Sequence, residues 1–421
     1  MRSLLYPVLR FVLPFFSLSS RMRLDFELKE LLENPSVQSA TYSFEVSSEG
    51  ELEQVYSIVL SLLLDQQFVE IIYCSPSVEH KCQALQKQYP DQLRLLRLPI
   101  LRFNPSGHKT NSKHWLTGKY LFLCRYDFFP ELLSYGRKKG VKLILLSGMV
   151  VTFKDKNFLV KWYLRNCYLS FDKIIAATEL DKKIFINDLK IPSHKIDVFD
   201  FREVQIRKRQ DKAFDTILAK IGSFTLLRDY LDTQEQKLIF GSLWDHELSI
   251  FDSLNTTNKH IAIAPHKLDR EHLDVIVDYF DKNNIPIYPV TVDTTDDQMR
   301  LMIQEAEQGP GIWLFNVKGI LCELFTFYDT AYIGGGFGES IHSVLEPYFA
   351  GCHIVCGPKT DRSSEYRYIH SKYSEKIDRK GSLNEVTMTL DQSHYKNQTI
   401  ISDDIHGQSF NKVLKWLIEE I

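Results

Sequence analysis

The run Ser47-Ser48-Glu49-Gly50-Glu51 follows an apolar stretch and opens a helical pattern. A hydroxyl at Ser48 suits a helix cap, Gly50 allows a tight strand-to-helix turn, and Glu51 falls in the first helical turn. The helix dipole holds a carboxylate there in its charged form, able to accept a proton. Two readings stand: a general base, or an acid that only caps the helix. A second run, Gly334-Gly335-Gly336-Phe337-Gly338, leaves another apolar stretch and leads to Ile341-His342 and Leu345-Glu346-Pro347. Glycines let a backbone approach a ligand closely, and exposed N–H groups at a helix start attract phosphate. The spacing is neither a dinucleotide fingerprint nor a P-loop. His342 and Glu346 are four apart, which puts them on one face of the helix predicted to follow. That pair can hold a sugar or a phosphate, or bond to each other in the core.

Smaller signals sit at other predicted strand ends. Ser242 in Gly241-Ser242-Leu243-Trp244 and His266 in Ala264-Pro265-His266 read either as turns or as ligand contacts. Arg125 and Asp127 place opposite charges after a strand, as cleft residues or as an internal ion pair. Asp293, Asp296 and Asp297 read as a solvated loop, and Cys352 and Cys356 have no second pair at zinc-site spacing. No Ser/His/Asp or Cys/His triad has identifying local context.

Short apolar runs alternating with helical patterns must position these residues. Strands are predicted at 43–46, 68–74, 93–98, 120–124, 142–146 and 173–177, then at 237–240, 260–264, 286–290, 312–317, 330–333 and 353–355. The clearest helical pattern is 52–64. Such alternation predicts parallel sheets covered on both faces. The stretch 206–236, beginning Ile-Arg-Lys-Arg-Gln-Asp-Lys, reads as a charged connector between two doubly wound α/β domains, 24–205 and 237–421. Two such domains are expected to face each other across a cleft, with ligands at the carboxyl ends of strands. The last residues, 410–421, read as an amphipathic closing helix.

The 421 residues are 44% hydrophobic and 25% charged, a soluble globular balance, with 51 Lys and Arg against 54 Asp and Glu. The net charge of -3 excludes a strongly basic nucleic-acid binder. Seven cysteines form no dense disulfide framework, which favours a reducing, cytoplasmic setting. Residues 4–18, Leu-Leu-Tyr-Pro-Val-Leu-Arg-Phe-Val-Leu-Pro-Phe-Phe-Ser-Leu, are too short to span a bilayer and carry Arg10. With Arg2, Arg21 and Arg23 nearby, residues 1–23 read as a membrane-interface anchor. A secretory signal and a helix packed on the protein body are the rival readings.

Taken in order, these pieces resemble one family, the 3-deoxy-D-manno-octulosonate (Kdo) transferases of lipopolysaccharide synthesis. AYIGGGFGESIHSVLEPYFAG at 331–351 is similar to the family's glycine-rich, His and Glu block, and FEVSSEGE at 44–51 to its segment ending in Ser-x-Gly-Glu. CRYDFFPEL, AATELDKKIF, VFDFREVQI, FGSLWDHE, IAPHKLD and the stretch 319–329 extend the likeness over nearly the whole chain. The sequence departs from the family at Glu45, where many relatives carry His, and at Ser343, where Asn is frequent. It also departs at Phe129, at His266-Lys267, and at 147–151, where an Arg is absent.

The resemblance implies the GT-B fold with an N-terminal membrane-interface helix, CMP-Kdo as donor and lipid A precursor as acceptor. It implies an inverting transfer with no cofactor and no metal. Glu51 would be the base. Ser242, His266, Gly334, Gly335, Gly336, Gly338, His342 and Glu346 would hold the donor in the C-terminal domain. Ser48, Gly50, Arg125, Asp127 and Arg202 would line the acceptor side. The partners implied are CMP-Kdo, lipid A precursor and a membrane surface, at the cytoplasmic face of the inner membrane. A GT-B transferase of another nucleotide sugar and a non-catalytic membrane-bound relative are the alternatives.

Overall fold

The computed structural model describes residues 39–98, 116–125, 129–150, 158–361 and 363–392. The N-terminal segment 1–23, Asp127 and the closing segment 410–421 lie outside the described residues. No helix among the described residues is long and apolar enough to cross a membrane. The chain divides into two compact units between Gln205 and Ile206.

In the first unit β1 (Tyr42–Val46), α1 (Glu49–Leu64), β2 (Val69–Tyr73), α2 (Pro76–Gln88) and β3 (Leu93–Arg97) come first. They are followed by β4 (Tyr120–Cys124), α3 (Pro130–Lys138), β5 (Lys142–Gly148), α4 (Phe158–Leu169), β6 (Lys173–Ala176), α5 (Glu179–Asn187), β7 (Ile196–Val198) and α6 (Phe201–Gln210), which runs on into the second unit. The strands form one seven-stranded sheet in the order β3-β2-β1-β4-β5-β6-β7. Every pairing in it is parallel. A central parallel strand is covered on both faces, so its sequence must be apolar nearly throughout. Phe44 and Val46 of β1 are accordingly buried against α1, while Leu121 and Leu123 of β4 are buried in the opposite layer.

Ser48 caps α1 through its side chain, and Leu52, Val55, Ile58, Val59, Leu62 and Leu63 make its buried face. Each such side chain stabilises the unit by about 1.5–3 kcal/mol on burial. At the opposite end of the sheet from the candidate residues, the buried Glu70 carboxylate accepts from Ser43 Oγ at 2.5 Å, Thr117 N at 2.9 Å and Gly118 N at 3.2 Å. Those bonds satisfy its charge inside the sheet.

The second unit continues with α7 (Ala213–Leu218), α8 (Phe224–Asp232), β8 (Lys237–Leu243), β9 (His260–Pro265), α9 (Arg270–Lys282), β10 (Ile287–Val290) and α10 (Asp296–Ala306). It ends with β11 (Ile312–Phe315), α11 (Leu321–Leu324), β12 (Thr330–Ile333), α12 (Leu345–Phe349), β13 (His353–Cys356), α13 (Ser364–Lys372), β14 (Ile377–Arg379) and α14 (Leu383–Gln392). Its seven strands run in the order β10-β11-β9-β8-β12-β13-β14, again all parallel.

The charged stretch 206–236, which reads in sequence as a connector, is helical and belongs to this unit. Apart from Arg209, which turns in to pair with the buried Glu323, its charges are at least partly exposed, while Ile217, Phe224, Leu227 and Leu231 are buried in the same cluster as Ile239 and Phe325. The charge density of the sequence hid an apolar face of helical period. In each sheet the winding direction reverses once, between β1 and β4 and between β8 and β12. Ligands in open α/β sheets bind at such points, beyond the strand carboxyl ends.

Candidate functional site

At the reversal point of the second unit, Ser242 closes β8 and Gly334 follows β12 in the neighbouring strand. Ser242 has φ 54° and sits at a register shift between Gly241 and Leu243. A left-handed serine is strained, which is frequent at functional sites. A Cβ on Gly334 would lie 2.2 Å from the Ser242 carbonyl oxygen, and Gly335 has φ 103° with Ser340 O beside it. A Cβ on Gly336 would lie 2.7 Å from the Gly357 backbone, and one on Gly338 would meet the His246 ring. The glycines therefore answer first to close approach within the protein.

The buried Glu247 carboxylate ties the two loops together. It accepts from Trp244 N at 3.1 Å, Gly335 N at 2.9 Å and the Tyr332 hydroxyl at 2.9 Å. Burial raises its pKa, against the lowering effect of those three donors. The amides of Gly334 and Gly335 are thus committed, Gly334 N to Gly241 O at 3.0 Å. Among the described residues, the N–H groups of 336–340 meet no acceptor. Uncommitted amides in a turn are the donors that an anion nest requires.

A stack of rings lines these two loops and the loop after β9. Trp244 and His266 lie 4.1 Å apart at 20°, and His266 and His342 4.3 Å apart. Trp244 Nε1 donates to His342 Nε2 at 3.1 Å, so the proton of a neutral His342 is on Nδ1. Burial, then the neighbouring His266, pushes His342 down to about 4. Burial, Lys267 and His272 lower His266 too. Both rings are neutral near pH 7 and offer uncharged hydrogen bonds to a ligand. Lys267 Nζ stands 5.9 Å over the Trp244 ring and donates to His272 Nε2 at 3.1 Å.

The expected helix carrying both His342 and Glu346 does not exist. α12 begins only at Leu345 and has five residues, so the four-residue spacing does not put the two side chains on one face. His342 instead donates its N–H to Gly334 O at 3.2 Å and folds onto Trp244. The Glu346 carboxylate lies 3.9 Å from Arg209, whose guanidinium forks onto the buried Glu323 at 2.8 Å twice. Nor does the glycine turn run into a helix N-terminus; residues without regular structure intervene, and any anion nest here is made by the loop amides alone.

In the first unit the reversal point lies between β1 and β4. Glu51 is 3% exposed, and its Oε2 accepts from Ser47 N at 2.5 Å while its own N–H donates to Ser48 Oγ at 3.3 Å. The capping reading is therefore realised, whatever else the carboxylate does. Glu45, fully buried in β1, accepts from Ser47 Oγ at 2.8 Å. Both acids lie close enough to Cys124, at the end of β4, to push its thiol up, after burial as the main cause.

Gly50 needs no special conformation: it is exposed and a Cβ there would meet nothing within 4 Å. The tight turn expected of it is made without it, because α1 already includes it. Arg125 has φ 60° and Ser147 φ 46°, two left-handed residues on adjacent strands. Ser147 Oγ and Gln54 Oε1 are buried without a hydrogen-bond partner among the described residues. Arg202 lies beyond the edge strand β7, its guanidinium paired with Asp200 at 2.6 and 2.9 Å.

Sequence reasoning missed Glu247, Trp244, Lys267 and Gly357 as site residues. The Glu three positions after Trp244 was the available signal, since an acid at that spacing reaches back to loop amides.

No family model and no curated protein matches the chain. Among solved structures, UDP-GlcNAc 2-epimerase from Methanocaldococcus jannaschii is similar over 89% of this chain and 99% of its own, at 11% identity and TM-score 0.55. The Neisseria meningitidis UDP-GlcNAc 2-epimerase bound to UDP-GlcNAc is similar over 89% and 100%, at 11% identity and TM-score 0.53. The C-terminal CMP-Kdo binding domain of WaaA from Acinetobacter baumannii aligns over 47% of this chain and 96% of its own, at 14% identity and TM-score 0.32. The full-length likenesses, together with the two parallel seven-stranded sheets, establish that this chain has the two Rossmann-like units of the GT-B fold.

Proposed function

We propose that the chain is an inverting glycosyltransferase that moves Kdo from CMP-Kdo to the lipid A precursor at the cytoplasmic face of the inner membrane. The observation that carries the nucleotide-sugar part is the reversal point of the second unit. There the uncommitted amides of 336–340 and the neutral Trp244–His266–His342 stack meet on the three loops that leave β8, β9 and β12. The choice of Kdo and of the acylated acceptor rests on the sequence blocks at 44–51 and 331–351.

In this reading the acceptor hydroxyl oxygen attacks the anomeric carbon as the bond from that carbon to the CMP phosphate oxygen breaks. The hydroxyl proton passes to Glu51, and CMP leaves with both electrons of the broken bond. Displacement by one nucleophile on the opposite face inverts the anomeric centre. The loop amides and the His342 Nδ1–H stabilise the departing phosphate as fixed dipoles. Ser242 and His266 frame the donor. Ser48 and Gly50 flank Glu51 in the chain, Arg125 follows the neighbouring strand β4, and the Arg202–Asp200 pair stands at the end of the same unit.

A second reading is a nucleotide-sugar binder that does not transfer. The burial of Glu51 and the use of its carboxylate on Ser47 favour it. Incubating the protein with CMP-Kdo and lipid A precursor and weighing the product separates the two. A mass gain of one or more Kdo units supports transfer. CMP-Kdo binding without product supports the second reading, and product only from a UDP-sugar replaces the donor assignment.

A further inference from the structure

Helix α4 of the first unit exposes side chains that a solvated helix does not normally show. Phe158 is 79% exposed, Leu159 71% and Trp162 58%, all within the first two turns. Positions 158, 159 and 162 are spaced by three and four, so they share one helical face. The opposite face, with Cys167 and Tyr168, is buried in the core of the unit. The apolar face is therefore not left over from core packing.

Its charges are one-sided. Between Phe158 and Leu169 the helix has Lys161 and Arg165 and no acid, and Lys154, Asp155 and Lys156, together one positive charge, precede it in the sequence. Arg165 lies one turn beyond Trp162 on the exposed side and is anchored by Nε to Leu189 O at 3.1 Å. An aromatic and aliphatic cluster bordered by cations fits the boundary between acyl chains and anionic headgroups. Trp rings prefer that depth, and Lys and Arg meet the phosphates.

We infer that this face, Phe158, Leu159 and Trp162 bordered by Lys161 and Arg165, docks the first unit onto an anionic lipid bilayer. The inference deepens the membrane part of the function proposed above by naming a surface on the folded unit, separate from the N-terminal segment 1–23.

The test uses the full chain and vesicles of phosphatidylcholine with and without phosphatidylglycerol. Binding is expected to be stronger with the anionic lipid and to weaken with salt. Brominated acyl chains should quench tryptophan fluorescence, and Trp162→Phe should remove most of that quenching while the protein still binds. The double substitution Phe158→Ser with Leu159→Ser should weaken partitioning about tenfold or more, since each large apolar side chain withdrawn from water counts for more than a factor of ten. These positions are exposed, so the variants should unfold at the wild-type temperature and transfer Kdo to a detergent-dispersed acceptor at the wild-type rate.

Quenching unchanged by Trp162→Phe, or wild-type partitioning by the double variant, overturns the inference and leaves membrane contact to other segments. A stable dimer that the double variant dissolves in light scattering also overturns it, because a second copy then covers the face. Loss of vesicle binding with transfer retained confirms the surface. Transfer absent in wild type with vesicle binding intact removes the functional reading and leaves this one standing.

Discussion

The two reversal points are built from different materials. In the first unit, side chains make the crevice: Glu45, Ser47 and Glu51 are linked by hydrogen bonds, and Arg125 and Ser147 are bent into the left-handed region without glycine. In the second, backbone makes it. Gly334, Gly336 and Gly357 press main chain against main chain, and Glu247 clamps the two loops from beneath. A crevice of side chains is suited to moving a proton, and one of amides and neutral rings to cradling charge it does not exchange. The units should therefore fail differently when touched: the first through lost chemistry at modest cost in stability, the second through lost packing and binding together.

The largest effect should come from Glu51→Gln. Removing a general base typically slows transfer by about 10²–10⁴-fold, whereas the amide can still accept from Ser47 N and keep the cap. Donor binding, measured by calorimetry with CMP-Kdo, should stay within about twofold. Activity near wild type would return Glu51 to a purely capping role and remove the contrast between the units.

Next in size is Gly334→Ala. The added methyl would stand 2.2 Å from Ser242 O and 2.8 Å from Glu247 Oε2, one a backbone atom and the other a buried clamp. Overpacking of this kind costs about 1–3 kcal/mol, and a loop displaced from Glu247 should lose donor binding as well. Urea denaturation with unchanged stability would show that the loops are looser than the geometry requires.

A smaller effect is expected at the Trp244–His342 bond. Trp244→Phe leaves a smaller aromatic ring and deletes the N–H; the lost bond alone counts for about 1 kcal/mol, or roughly fivefold in donor affinity. The same histidine carries a pH dependence, set by its burial and by the neighbouring His266. His342 titrates at about 4 in the fold and at about 6.5 in the unfolded chain. Between those values the unfolded chain holds a proton the fold rejects, so stability falls as pH drops from about 6.5 toward 4 and is fully present above. His260, pushed down to about 3 by burial, adds to the same slope. Denaturation at several pH values should therefore give a shallower, not a flat, profile for His342→Asn.

Much of this plan was legible in the residues. Twelve of the strands were marked by apolar runs, because a parallel strand buried on both faces leaves no room for polar alternation. β7 and β14 were not, being edge strands of three residues with Asp197 and Asp378 at their centres. The loops of the second unit were found by their glycines, but the reason for those glycines was not: the contact with Gly357 joins residues twenty-one positions apart in sequence, beyond any local pattern. His342 and Glu346 illustrate the converse failure. Their spacing fits a helix, yet His342 is held by Trp244 and Gly334 and the helix begins only at Leu345, so tertiary packing overrides local period.

The smallest predicted change is at Gly50, and it bears on the comparison most directly. Gly50 resembles the glycines of 334–338 in sequence context, within a few residues of a strand end. In the fold it is a helical residue with nothing within 4 Å of a Cβ. If only the protein's own packing mattered, Gly50→Ala should stabilise the first unit by about 0.5–1 kcal/mol, because alanine loses less backbone freedom in a helix. If the space beside Gly50 is where an acceptor approaches Glu51, the same substitution should raise the acceptor KM while leaving CMP-Kdo affinity unchanged. Greater stability with an unchanged acceptor KM would place the acceptor elsewhere, whereas a raised KM on a more stable protein would mark Gly50 as a glycine kept for a ligand rather than for the fold.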